Sequence, residues 1–276
     1  MKMKHLLLAC CLSLFIFSCS KEDSPATEAF DISEAKTSAE IDGFTEDISA
    51  IIDNQIDIQT SVSGKSANVP DSFLPPCATV TMVITGNTWV RTIDFGTQGC
   101  ALPNGNIYKG KIIITKTVST TPLSKTFTIT FDNFYINARK IEGTKTLVKT
   151  LTTVAPIHPT STMTMNITVI FPNGFSYVRT GTRVSEMVEG FSTAVWNDNI
   201  FKVTGSWTTT RPNWSQTSTI MVPLIFRMNC QYRLVRGKVE IVRNSNVALV
   251  DYGDGTCDNI ATITINGTTT PFTFGN

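Results

Sequence analysis

Histidine is almost missing from this chain, with His5 and His158 the only two in 276 residues. Histidine is the usual general base and the commonest transition-metal ligand. A single histidine in the body of the chain, set between Pro156 and Pro159 and far from any marked nucleophile or acid, argues against Ser-His triads, Cys-His nucleophiles and His-rich zinc sites. Charge is also scarce: charged residues are 16% of the chain and the formal net charge is +1. Lysines and arginines are scattered, with no dense basic cluster, which makes nucleic acid a poor partner. The apolar stretch Leu6 to Phe17 falls short of the roughly 20 residues that a bilayer-spanning helix needs.

That short stretch has another use. Lys2 and Lys4 precede it, the small Ser18 ends it, and Cys19 follows. A positive start, an apolar middle and a small residue before the cut are the parts of a secretory signal. Ile16-Phe-Ser-Cys19 resembles a bacterial lipoprotein box, with Phe17 bulkier than the usual residue there. Ser20-Lys21-Glu22-Asp23 is similar to the export signal carried by surface lipoproteins of Bacteroidota, a lysine followed by two acids. The resemblance to these surface-exported lipoproteins implies lipidation of Cys19, with Lys21, Glu22 and Asp23 sending the protein to the outer face of the outer membrane. It implies an address and no activity. Three acyl chains, at about 0.8 kcal/mol per buried CH₂, would hold such a protein durably.

Removing residues 1–18 leaves 258 of the 276 residues, enough for a substantial core. Charge is unevenly spread: residues 21–58 hold eleven acids and two bases, and residues 59–276 hold nineteen bases and eleven acids. The plain reading, which we favour at this point, is an acidic stalk and a mildly basic body that are both solvated. The alternatives are a stalk docked on the body, and a body that meets anionic envelope glycans or lipid phosphates.

Residues 19–43 read as an acidic tether, and 44–58 as one short amphipathic helix with Ile48, Ile51, Ile52 and Ile56 on one face. An earlier start near Ile32 is the variant of that assignment. Residues 59–76 read as a linker, marked by Gly64, Pro70, Pro75 and Pro76. From residue 77 the period becomes two. Phe127, Ile129 and Phe131 alternate with threonines, as do Met163, Met165, Ile167 and Val169, and Ala261, Ile263 and Ile265. Val235, Gly237, Val239 and Ile241 alternate with Arg236, Lys238 and Glu240. Of 42 threonines only three fall before residue 51, and threonine suits the wet face of a pleated strand. The expectation is a mainly β body over 77–276, a large antiparallel meander forming a twisted sheet or a two-layer sandwich. Turns fall at 85–88, 103–105, 172–174 and 243–246, and Pro223 belongs on an edge or a bulge. A transmembrane barrel is disfavoured: Phe272-Thr-Phe274 faintly resembles a barrel's aromatic end but is not terminal, and a lipid anchor would be redundant.

Four cysteines remain after Cys10, Cys11 and Cys19 are assigned to the signal and the lipid. Ile93-Asp-Phe-Gly96…Cys100 matches Val250-Asp-Tyr-Gly253…Cys257, and each copy follows another cysteine, Cys77 or Cys230. The midpoint of each cysteine pair falls in or beside a predicted turn, which places the two sulfurs opposite one another at the open end of a hairpin. The pairing expected is therefore Cys77–Cys100 and Cys230–Cys257.

Candidate ligand residues are few. Trp207 and Trp214 flank a loop at Arg211-Pro212-Asn213 and form a candidate platform for sugar rings, with Trp89 and Trp196 in reserve. Asp251, Asp254 and Asp258 offer oxygens to calcium but complete no known loop, so no cofactor or metal is expected. Glu186 and Glu189 are the nearest approach to a paired-carboxylate site, although strand alternation would point them to opposite faces. The expectation is a binding or structural module of the cell envelope, not an enzyme. Its partners would be the membrane through its lipid and, beyond that, glycans or another envelope protein. The alternative is an exported glycan-acting hydrolase.

Overall fold

The computed structural model describes residues 30–63, 69, 71–117, 124–151, 158–191 and 193–274. Cys19, Lys21, Glu22 and Asp23 lie outside the described residues. The first element is a single long helix, α1 (Ile32–Ser63). Strands β1 (Thr79–Thr85), β2 (Thr88–Asp94), β3 (Cys100–Ala101) and β4 (Ile107–Thr117) follow. Then come β5 (Ser124–Ile136), β6 (Arg139–Leu151), β7 (Pro159–Ile170) and β8 (Ser176–Glu189). The chain ends with β9 (Ile200–Arg211), β10 (Trp214–Arg227), β11 (Leu234–Arg243), β12 (Asn246–Asp254), β13 (Ile260–Ile265) and β14 (Thr268–Thr273).

All fourteen strands belong to one antiparallel sheet in which neighbours in sequence pair in order, except that the two-residue β3 pairs only with β4. Of the two arrangements expected, the sheet is therefore continuous. It is also open, with β1 and β14 as its edges, whereas a membrane barrel is closed. Among the described residues no helix is long and apolar enough to cross a membrane.

Two-residue turns set the register. Asn137, Asn244 and Asn266 take positive φ (55°, 54° and 51°) at the β5–β6, β11–β12 and β13–β14 corners, the conformation that tight hairpins require and asparagine tolerates. Pro223 sits where β10 changes register against both neighbours, at a bulge, as its missing N–H demands. Both disulfides form as the spacing implies, Cys77–Cys100 and Cys230–Cys257.

The helix corrects the organisation read from the sequence. It begins within the stretch assigned to the tether and runs into the stretch assigned to the linker, and at 32 residues it is not short. No residue from Thr37 to Ser61 is exposed, so the helix is covered nearly all round. At 1.5 Å per residue it runs about 48 Å through the molecule. Ile41, Phe44, Ile48, Ile51, Ile52 and Ile56 join a core with β2 to β8. Ala35 and Ala39 join a second core with β8 to β14. At roughly 1.5–3 kcal/mol per fully buried large apolar side chain, those six residues contribute most of the docking energy. Part of the expected linker is docked as well: buried Asn54 donates to the Asp71 carbonyl at 2.8 Å and accepts from the Phe73 amide at 3.3 Å.

Candidate functional site

What permits an acidic helix inside a sheet is the set of cations the sheet turns toward it. Seven carboxylates lie on α1, and each has a basic partner on the body. Glu34 pairs with Arg243 (2.8 Å) and Glu40 with Arg139. Asp42 takes both Arg179 and Arg183 (2.8 Å for the latter), and Arg183 also holds Glu46. Asp47 pairs with Arg233 at 2.6 Å, and Asp53 and Asp57 share Lys149. Arg179, Arg183 and Arg243 are at most 3% exposed. The stalk that the plain charge reading leaves in solvent is thus docked, and the −/+ asymmetry of the sequence is the two halves of one interface.

Around the ion pairs the polar groups are shared closely. Tyr252 donates its hydroxyl to Asp42 at 3.1 Å, and burial, with that carboxylate beside it, raises the hydroxyl's pKa well above the ordinary tyrosine value. Lys145, fully buried, donates to the Thr45 carbonyl and to Ser49 Oγ, both at 3.0 Å. Burial, aided by nearby Arg183 and opposed by Glu46 and Asp53, lowers its pKa from 10.5 to about 8. Trp207 lies under Arg183, whose guanidinium is 3.9 Å from the ring centroid. Its partner across the ladder is Gly181, where an added Cβ would stand 2.5 Å from the Trp207 Cβ. Among the described residues, cavities of about 10, 20 and 50 Å³ lie between helix and sheet, room for water and not for a ligand. This interior is structural.

Trp207 is therefore no platform: it is 2% exposed and stacked beneath arginines. Trp196 is also buried, and Trp89 is half-buried against Phe127. The expected Trp207–Trp214 pair fails by depth. The β9–β10 register puts Ser218 opposite Trp207 and Arg211 opposite Trp214, so both rings lie on one side of the sheet, but Trp207 is buried beneath Arg183 while Trp214 sits at the hairpin tip. Trp214, by contrast, does line a surface pocket.

That pocket, about 180 Å³, lies between the β7–β8 and β9–β10 hairpin tips, and is lined by Gly174, Phe175, Ser176, Arg211, Pro212, Asn213 and Trp214. Phe175 is 51% exposed. The Arg211 guanidinium stands over Phe175 at 4.3 Å, over Tyr177 at 5.0 Å and over Trp214 at 5.7 Å. The Arg243 guanidinium also stands over Trp214, at 3.9 Å, so the ring is fixed by the same residue that anchors Glu34. Among the described residues Arg211 has no ion-pair partner, unlike the arginines of the interior. The residues missed from sequence are Phe175 and Tyr177; the available signal was the turn at Pro172-Asn-Gly174, one hairpin away from Arg211.

The other candidates have local work. Asp94 and Asp251, the matching acids of the repeat, each accept the amide of the following glycine (2.8 and 3.1 Å) and a cross-strand lysine, Lys111 or Lys238. The aromatic between them, Phe95 or Tyr252, is buried. Asp254 and Asp258 accept the amides of Thr256 and Ile260, and among the described residues no cluster of three or more metal-ligating side chains exists. A bulge after Met187 puts Glu189 opposite Ile200 where Glu186 is opposite Lys202, so the two glutamates share the outer side and do not alternate. Glu186 is engaged by His158 (2.8 Å) and Lys202 (3.0 Å), whose hydrogen bonds hold its carboxyl below the usual glutamate range.

No protein-family model, curated protein or solved structure matches this chain.

Proposed function

We propose that this chain is an outer-membrane lipoprotein, held by lipid on Cys19 and facing the cell exterior, whose β body is a binding module for acidic saccharides. The address rests on the Leu6–Cys19 signal and on Lys21-Glu22-Asp23. Ile32 comes 13 residues after Cys19, at most about 45 Å of extended chain, so the body would be carried close to the membrane.

The observation that carries the binding reading is Arg211, an arginine without an ion-pair partner among the described residues, set in a pocket with exposed aromatic surface. Aromatic faces take the C–H faces of sugar rings, and a guanidinium takes a carboxylate through two parallel hydrogen bonds. The arrangement fits a saccharide that bears a carboxylate, such as a uronic acid. The test is a glycan array probed with the soluble chain from residue 20 onward. Binding to uronic-acid glycans over neutral ones, weakened at least tenfold by Arg211→Ala and by Phe175→Ala, supports the reading. Absence of glycan binding, or binding indifferent to Arg211→Ala, contradicts it. For the address, Cys19→Ala is expected to release the protein from the membrane fraction or leave its precursor uncut; unchanged fractionation and mass contradict the anchor.

A further inference from the structure

The two edges of the open sheet are unequal. β14 carries Pro271 and buries Phe272, and a proline on an edge is one of the ways proteins block strand addition. β1 has no such defence. Its sequence, Thr79-Val-Thr-Met-Val-Ile-Thr85, has neither charge nor proline, and all seven residues are exposed. Val83 and Ile84 are 62% and 66% exposed, and Val80 and Met82 are 38% each.

The backbone of β1 shows which groups are open. Thr85 and Thr88 close a two-residue turn at Gly86-Asn87, so they form a hydrogen-bonded pair. Alternation along an antiparallel ladder then directs the N–H and C=O of Thr81 and Val83 toward β2, and those of Val80, Met82 and Ile84 toward the open edge. The same three residues pair with Ile93, Arg91 and Trp89 of β2, so they share the helix-facing side of the sheet. The edge thus offers three backbone pairs and, beside them, an uncovered apolar stripe.

The strand is close to a palindrome in chemical character. A two-fold axis at Met82 puts Val80 opposite Ile84, Thr81 opposite Val83 and Thr79 opposite Thr85 of the other strand. In that register the outward amides of Val80, Met82 and Ile84 meet the outward carbonyls of Ile84, Met82 and Val80, giving six hydrogen bonds. The two apolar stripes then lie side by side on the same face. No like charges meet. We propose that β1 is a homodimerisation edge, pairing antiparallel with β1 of a second copy about an axis through Met82, so that two sheets become one. Such an interface is isologous and closes at two subunits.

The register makes the proposal testable with the soluble chain from residue 20 onward, by sedimentation velocity from about 1 to 200 μM. The parent is expected to show a concentration-dependent dimer. Met82→Pro removes an outward donor while leaving the β2 ladder intact, and Ile84→Lys and Val80→Glu each place a charge opposite an apolar residue. Each substitution is expected to weaken dimerisation at least tenfold with unchanged circular dichroism. Mixing the Ile84→Lys and Val80→Glu chains is expected to restore a heterodimer, because the lysine then faces the glutamate. A parent that stays monomeric throughout overturns the proposal, whether another segment of the chain or a foreign strand covers β1. A dimer that ignores all three substitutions, or mixed chains that do not associate, overturns it equally.

Discussion

At the scale of single residues, the interior of this protein depends on charges that are tolerable only in company. Asp42 accepts from Arg179, Arg183 and Tyr252 in a site where none of the four is more than 3% exposed. Asp42→Asn would leave Arg179 buried without its counter-charge and Arg183 with Glu46 alone, and is expected to cost about 3–5 kcal/mol in urea unfolding. A loss below 1 kcal/mol would show the pair to be better solvated than the structure has it. Lys145 is the opposite case, a buried ammonium held by neutral oxygens. Its folded pKa of about 8 lies below the 10.5 of the unfolded chain, so between those values the unfolded state binds more protons and stability rises with pH. Below pH 8 both states are protonated and the full cost of burying the charge is present. Lys145→Met is therefore expected to stabilise the protein at pH 7 by about 1–3 kcal/mol, with the advantage shrinking from pH 8 to 10. The buried hydroxyls of Tyr108 and Tyr252, whose pKa values are raised, work the other way above pH 10, but in both proteins alike. A variant less stable than the parent at pH 7 would contradict this account of Lys145.

At the scale of elements, the sequence announces hairpins well and docking badly. Alternating Phe127-Ile129 or Val239-Ile241 marks strands, because one wet and one dry face leave a period of two whatever the partner. Turn asparagines and the spacing of cysteines gave the pairings for similarly local reasons. The two disulfides differ in what they hold. Cys230–Cys257 closes the β11–β12 hairpin, whose inner residues are buried, whereas Cys77–Cys100 ties down a β1–β2 hairpin whose first strand is exposed and whose second is mostly half-buried. Replacing Cys230 and Cys257 by serine is expected to lower global stability by about 3 kcal/mol. Replacing Cys77 and Cys100 is expected chiefly to speed hydrogen exchange in β1 and β2, as a local opening. Equal global losses from both pairs would contradict that distinction. The extent of α1 was not legible. Glu40, Asp42 and Asp47 look like a solvated stalk until Arg139, Arg183 and Arg233 are known to face them, and Arg179 and Arg183 look like surface residues until β8 is seen to turn them inward. The burial of a charge belongs to a pair; neither half carries it alone. The pocket was half legible for the same reason: Trp214 stood out as an aromatic beside Arg211, but Phe175 joins it only because two hairpin tips are neighbours in the sheet.

At the scale of the whole molecule, the acidic segment that follows the expected anchor is the axis about which the sheet is arranged. Apolar contacts from Ile41 to Ile56 contribute the stability, while the ion pairs fix the depth and rotation of the helix, since a shift of one residue would unpair several buried charges at once. A lipid on Cys19 would then be tied to the core of the body with only a short segment between, and the Arg211 pocket and the β1 edge would be carried by one rigid unit. The most direct test of the central claim is native-state hydrogen exchange followed by mass spectrometry of peptides covering Ile41–Ile56. If α1 is the core of the fold, those amides exchange as slowly as β5 to β11, by global unfolding. Exchange complete within seconds, as in a solvated tether, would contradict it.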